Sequence, residues 1–230
     1  MISAGPARKW SIPSPRGGAL SALLLQPRDA WALYVLAHGA GAGMKHVFLE
    51  DVATRLALAG VATLRYQFPY TEAGGHRPDP PATLEATVRA AVAVAADAAP
   101  GLPLFAGGKS MGGRMTSQAQ SNQALPGVRA LVFLGFPLHA PKRPAASRAR
   151  HLAGVSLPML FVQGTRDDLA DLELMRGVCA DLGARSVLHV VDGGDHSFKV
   201  LKRSGRDQET VMNEIRDTVT AFMRSVLAAT

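Results

Sequence analysis

Seven short apolar runs punctuate the chain, at residues 19–25, 32–37, 61–66, 102–106, 130–134, 158–163 and 186–191. Several are almost continuously hydrophobic, which is the pattern of strands buried on both faces rather than strands with one wet face. Between them, residues 47–59, 83–98, 111–123 and 169–182 carry apolar residues at helical spacing, and 208–227 closes the chain as a further helix. Strands alternating with helices predict an α/β fold, a mostly parallel sheet covered by helices on both faces. Two proline-rich stretches, 67–82 and 136–157, read as long loops of the kind that shape a pocket.

At 230 residues the chain can bury one substantial core, so a single domain over 1–230 is expected. The composition, 47% hydrophobic and 19% charged, is that of a folded globular chain. No apolar run approaches the roughly 20 residues that a membrane span requires. Residues 19–25 lack the small-residue cleavage pattern of a signal peptide and read as a strand. The single cysteine, Cys179, has no internal partner, so a cytoplasmic location is the expectation. The formal charge of +7 draws on two basic clusters, Lys142, Arg143, Arg148 and Arg150, and Lys199, Lys202, Arg203 and Arg206. No nucleic-acid-binding module accompanies them, and 6% aromatic residues supply no row of stacking platforms. The clusters therefore read as solvated surface, and neither nucleic acid nor a membrane is an expected partner.

The densest motif is Gly107-Gly108-Lys109-Ser110-Met111-Gly112-Gly113, directly after a buried strand and directly before a helix. A serine in so sharp a strand-to-helix turn sits in strained backbone, and flanking glycines remove the side chains that would clash. That is a nucleophile elbow, with Ser110 the candidate nucleophile. The same residues contain Gly-Lys-Ser, but a phosphate-binding loop needs a glycine six residues before the lysine, and Pro103 stands there.

A nucleophilic serine needs a base, and His196 lies in the glycine-rich stretch 192–198 after the last apolar run. An imidazole takes up and returns a proton near neutral pH. A carboxylate should follow the preceding strand, where Gly164-Thr165-Arg166-Asp167-Asp168 supplies two. Asp167 is favoured as the group that orients His196, because a Gly-x-x-Asp turn is the usual setting; Asp168 fits as a cap for a helix beginning near Leu169. The chain order Ser, Asp, His is the one hydrolases of this class use. The glycine-rich turn His38-Gly39-Ala40-Gly41-Ala42-Gly43 follows the strand 32–37 and can aim a backbone N–H at a developing oxyanion. Ala40 is the first choice for that donor, Gly41 the fallback, and Met111 N–H the second donor.

Residues 38–44, 107–115, 133–139, 161–167 and 193–198 together resemble the KANL3/Tex30 family of α/β hydrolases, near the dienelactone-hydrolase-like enzymes. The resemblance runs from about residue 36 to 198. It implies an eight-stranded α/β-hydrolase sheet, the roles of Ser110, Asp167 and His196 given above, and an esterase-like activity, but no particular substrate; from the residues themselves no metal or organic cofactor is expected, and the expected partner is a small-molecule acyl substrate. Serine rather than cysteine at the elbow sets the chain apart from dienelactone hydrolases proper. The segment between the strands at 134 and 158 is short, which implies a minimal lid or none and an open site for small or exposed acyl groups. Gly41, His46, Phe68, Tyr70, Phe136 and His139 are candidates to line it, Tyr66 being a better fit to the core. Two rival readings keep the fold: a non-catalytic interaction module, and an acyltransferase or peptidase with the same residues.

Overall fold

The computed structural model of the protein describes residues 5–229. Eight strands form one sheet: β1 (Arg8–Pro13), β2 (Ala19–Leu25), β3 (Ala32–Ala37), β4 (Val61–Tyr66), β5 (Leu104–Lys109), β6 (Val128–Leu134), β7 (Met159–Arg166) and β8 (Ser186–Asp195). The helices are α1 (Val47–Leu58), α2 (Pro69–Glu72), α3 (Pro81–Ala98), α4 (Met111–Asn122), α5 (Leu172–Leu182) and α6 (Gln208–Ala228). Across the sheet the strands run β1-β2-β4-β3-β5-β6-β7-β8. β2 pairs antiparallel with both β1 and β4, and every pairing from β4 to β8 is parallel. This is the α/β-hydrolase fold.

Alternation along the central strands builds two cores. In β3, Leu33, Val35 and Ala37 face the core shared with α3, α4 and α5, while Ala32, Tyr34 and Leu36 face the core shared with α1 and α6. All six are buried, so β3 reads in sequence as an unbroken apolar run. From β3 the chain crosses through α1 to β4 on one side and then through α3 to β5 on the other. Where the crossover direction reverses, the strand ends diverge and leave a crevice, so the carboxyl ends of β3 and β5 form the natural place for a site.

The departures from the sequence reading have local causes. β1 is an edge strand with only Ile12 buried, so it leaves no apolar run to detect. β5 lies two residues later at its start and continues through Gly107, Gly108 and Lys109, because these extended residues still pair with β6. β8 runs on to Asp195, four residues beyond its apolar part. The stretch 67–82 contains α2, and 136–157 contains a 3-10 helix, Ser147–Gly154, that buries Ala149 and Leu152 in the core beside α4. The helix expected near Leu169 begins at Leu172, and its cap is Asp171, whose carboxylate accepts from Leu174 N–H at 3.0 Å. Among the described residues Asp168 accepts no capping hydrogen bond, and it is exposed.

Candidate active site

At the end of β5 the backbone swings through Ser110 with φ 52° and ψ −118° and enters α4 at Met111. For a residue with a Cβ, this region costs on the order of 1–3 kcal/mol and persists only when the surroundings impose it. They do so here. Ser110 N–H donates to Leu134 O at 3.1 Å, and Ser110 O accepts from Arg114 N–H at 3.1 Å, which clamps the turn between β6 and α4. The first turn of α4 also lies directly on the chain leaving β3, where a Cβ at Gly112 would stand 2.5 Å from the His38 carbonyl oxygen. The serine side chain is thereby held out at the sheet edge beside the 38–43 turn.

His196 follows β8 in a turn knotted by Asp195. The Asp195 carboxylate accepts from Ser197 N–H at 2.7 Å and Lys199 N–H at 2.9 Å, and Asp195 O accepts from Phe198 N–H at 2.8 Å. The imidazole is thrown toward the elbow, with Nε2 2.9 Å from Ser110 Oγ. Its other nitrogen, Nδ1, lies 2.8 and 2.9 Å from the two carboxylate oxygens of Asp167. An ionised carboxylate only accepts, so Nδ1 carries the hydrogen and Nε2 is left with a lone pair facing the serine hydroxyl. The Asp167 side chain is shielded from solvent, and its remaining capacity is met by Leu169 N–H at 2.8 Å and by the Gln163 side-chain amide. Among the described hydrogen bonds none joins Asp168 to the imidazole.

The 38–43 turn is organised by His38. Its Nδ1–H donates to Gly39 O at 2.8 Å, and its Nε2 accepts from Phe68 N–H at 3.2 Å. This buried ring serves as one donor and one acceptor and is therefore neutral; burial pushes its pKa down to about 4. Gly39 O also accepts from Ala42 N–H at 3.2 Å. In a trans peptide the N–H points opposite the C=O, so the Ala40 N–H faces away from these contacts of Gly39 O, and Ala40 itself lines the cleft. At the facing side, the Met111 N–H heads α4 and has no acceptor within the helix.

A cleft of about 270 Å³ opens over Ser110 and His196. Ala40, Ala42, Phe48, Leu49 and Leu169 give it an apolar lining, and His46, Lys109 and Ser197 add polar groups. Of the residues expected to line it, only His46 does so; it also caps α1, its Nδ1 accepting from Phe48 N–H at 3.2 Å. Gly41 is exposed and does not line the cleft, although Ala40 and Ala42 on either side of it do. Phe68 and Tyr70 are buried and stack behind the 38–43 turn, edge-on to His38. Phe136 is buried against Phe133 and Phe161. His139 accepts from Asp171 N–H at 2.8 Å and ties two loops together beneath the surface. These aromatic positions are apolar because they are core. The residues that sequence reasoning passed over are Phe48, Leu49, Leu169 and above all Lys109, weighed only as part of a phosphate-binding motif. Among the described residues no group of three His, Cys, Asp or Glu side chains is arranged to hold a metal ion, and no helix is long and apolar enough to cross a membrane.

A family model described as an alpha/beta hydrolase domain matches residues 30–224. Among solved structures, a dienelactone hydrolase from Anabaena variabilis superposes with a TM-score of 0.74 at 19% identity, over 96% of this chain and 99% of that one. An α/β serine hydrolase without a lid from Xanthomonas campestris gives 0.73 at 17% identity, over 98% and 97%. The esterase domain of a Rhodothermus marinus protein gives 0.72 at 16% identity, over 96% and 99%. At such identities the likeness is one of fold.

Proposed function

The chain belongs to the alpha/beta hydrolase domain family, and on that premise we propose that it is a serine hydrolase that cleaves carboxylic esters of small or exposed acyl groups. The observation that carries the reading is the continuous hydrogen-bonded chain from Ser110 Oγ through the His196 imidazole to the solvent-shielded Asp167 carboxylate. Three polar groups that lie far apart in sequence gain nothing for folding by meeting at the edge of a cleft. They are what acyl transfer requires.

In the proposed reaction, His196 Nε2 takes the Ser110 proton as Oγ attacks the ester carbonyl. Asp167 holds the ring in the tautomer with Nδ1–H and stabilises the imidazolium that forms. The negative charge that develops on the carbonyl oxygen is met by the N–H groups of Ala40 and Met111, each worth about a hundredfold in rate. His196 then returns its proton to the leaving alkoxide, and the acyl-serine is hydrolysed by water activated at the same nitrogen. These steps draw on side chains and backbone alone.

The cleft is open and shallow and lacks a long apolar tunnel among its lining residues, which favours short or exposed acyl groups over a long lipid chain. We place the chain near the KANL3/Tex30 branch on the motifs at 38–44, 107–115 and 193–198. A fluorophosphonate probe tests the proposal: the wild type should label and Ser110→Ala should not. A wild type that stays unlabelled would move the balance to a hydrolase fold used only for docking. With 4-nitrophenyl esters, acetate and butyrate should be turned over faster than decanoate.

A further inference from the structure

Lys109 stands immediately before the nucleophile, and its side chain is buried. Among the described residues no carboxylate lies within ion-pair distance of its ammonium group. The Nζ donates instead to the main-chain carbonyl oxygen of His196 at 2.6 Å. It also sits 5.6 Å from the centre of the Phe198 ring and 5.9 Å from that of Phe48. Those two rings stack with centroids 5.8 Å apart, so the ammonium group rests on an aromatic cage.

Two further features make sense only around this group. Gly135, at φ 69°, lies against the same group; a Cβ there would stand 2.8 Å from Lys109 Nζ and 3.5 Å from His196 Cε1. Phe198 holds φ 60°, an unfavourable conformation for so bulky a residue, and its ring is fully buried against the cage. Residues from α1, from the end of β5, from the loop after β6 and from the turn after β8 thus converge on one ammonium group. An apolar residue at 109 would need none of them.

Among the described hydrogen bonds, only two join the end of β5 to the histidine turn, the Ser110–His196 contact and the Lys109 bond. The first is lost whenever Oγ carries an acyl group. The second is indifferent to acylation. We infer that Lys109 is a positioning residue, whose ammonium group holds the His196 main chain so that Nε2 stays over the acyl-serine while water attacks. The inference rests on the proposed role of His196 as general base. Burial lowers the Lys109 pKa to about 8, against the pull of Asp167 and Asp195, so the charge is kept at a cost in stability.

Lys109→Met removes the charge and donor at nearly constant length, and 4-nitrophenyl acetate separates acylation, seen as a burst, from deacylation, seen as the steady state. Deacylation should slow at least tenfold, acylation less, with KM not raised and the thermal midpoint unchanged or higher. Lys109→Gln, which keeps an N–H donor, should recover part of the deacylation rate; if Lys109→Met does not fold, it carries the same comparison with wild type. The inference is overturned if folded Lys109→Met deacylates at the wild-type rate. It is equally overturned if both steps fall together with the thermal midpoint, or if KM rises while kcat holds, which would mean contact with substrate. Fluorophosphonate labelling of the wild type separates this from the hydrolase reading: an unlabelled wild type overturns that reading first.

Discussion

Neighbouring residues of identical chemistry have different fates at positions 167 and 168. The Asp167 carboxylate is shielded, meets His196 Nδ1 with both oxygens and accepts from Leu169 N–H, whereas Asp168 is exposed. Asp167→Asn replaces a pure acceptor with an amide that favours the wrong imidazole tautomer, and should lower kcat by about 10⁴ while leaving the fold intact. Asp168→Asn should stay within about twofold of wild type in the same ester assay. Equal losses in both would dismiss the distinction. At this scale the convergence of Ser110, His196 and Asp167 was legible because each stands in a tight turn just after an apolar strand, a strictly local signal. The partners of those residues left no such trace. Gln163 reads as the polar end of a strand, and Gly135 and Lys109 acquire meaning only from contact with a histidine distant in sequence.

Helix α4 shows what an element contributes beyond its residues. Its first turn is pressed so closely on the chain leaving β3 that position 112 tolerates no side chain, a Cβ there meeting His38 O at 2.5 Å and Ala37 C at 2.7 Å. Intrinsic propensity would favour alanine over glycine by about 1 kcal/mol in a helix. We expect the opposite net sign for Gly112→Ala, a loss of about 1–3 kcal/mol in urea denaturation, because the clash is with backbone that cannot rotate away. The same displacement would part the Ala40 and Met111 N–H groups, so kcat should fall further than stability accounts for. A Gly112→Ala variant as stable and active as wild type would refute the close docking. Elements buried on both faces, such as β3 and β4, are legible in the sequence because burial leaves them as nearly unbroken apolar runs. β1 is not legible because an exposed edge strand has no hydrophobic periodicity, and the end of β8 is not because it is polar and crosses a register shift, with Asp195 paired to Arg166 and Gly193 N–H held by Thr165 Oγ1 at 2.8 Å. The expectation that Phe68 and Tyr70 line the cleft fails for a related reason. Sequence cannot say on which side of a turn a ring will pack, and Phe68 and Tyr70 pack behind it.

For the whole molecule, stability should depend on pH through histidines that the fold keeps neutral. His38 lies behind the 38–43 turn, and His151 belongs to the 3-10 helix Ser147–Gly154 and faces α4, its Nε2 2.7 Å from Ser117 Oγ. Burial lowers both to about 4, and the nearby Arg114 adds to the effect at His151. In the unfolded chain each takes up a proton near the ordinary value of about 6.5. The unfolded state thus binds more protons as the solution is acidified, so this stability is whole above about pH 6.5 and is lost progressively as pH falls toward 4. Lys109 has the same sign in another window: held at about 8 when folded and near 10.5 when unfolded, it lets stability rise between those values. His151→Gln offers the cleaner test, since it leaves the cleft untouched and keeps a polar partner for Ser117. Its urea midpoint should fall less between pH 7 and pH 5 than the wild-type midpoint does, with little difference in ester turnover at pH 7. Parallel midpoints for the two proteins across that range would show that acid sensitivity resides elsewhere and that His151 is not held neutral by its burial.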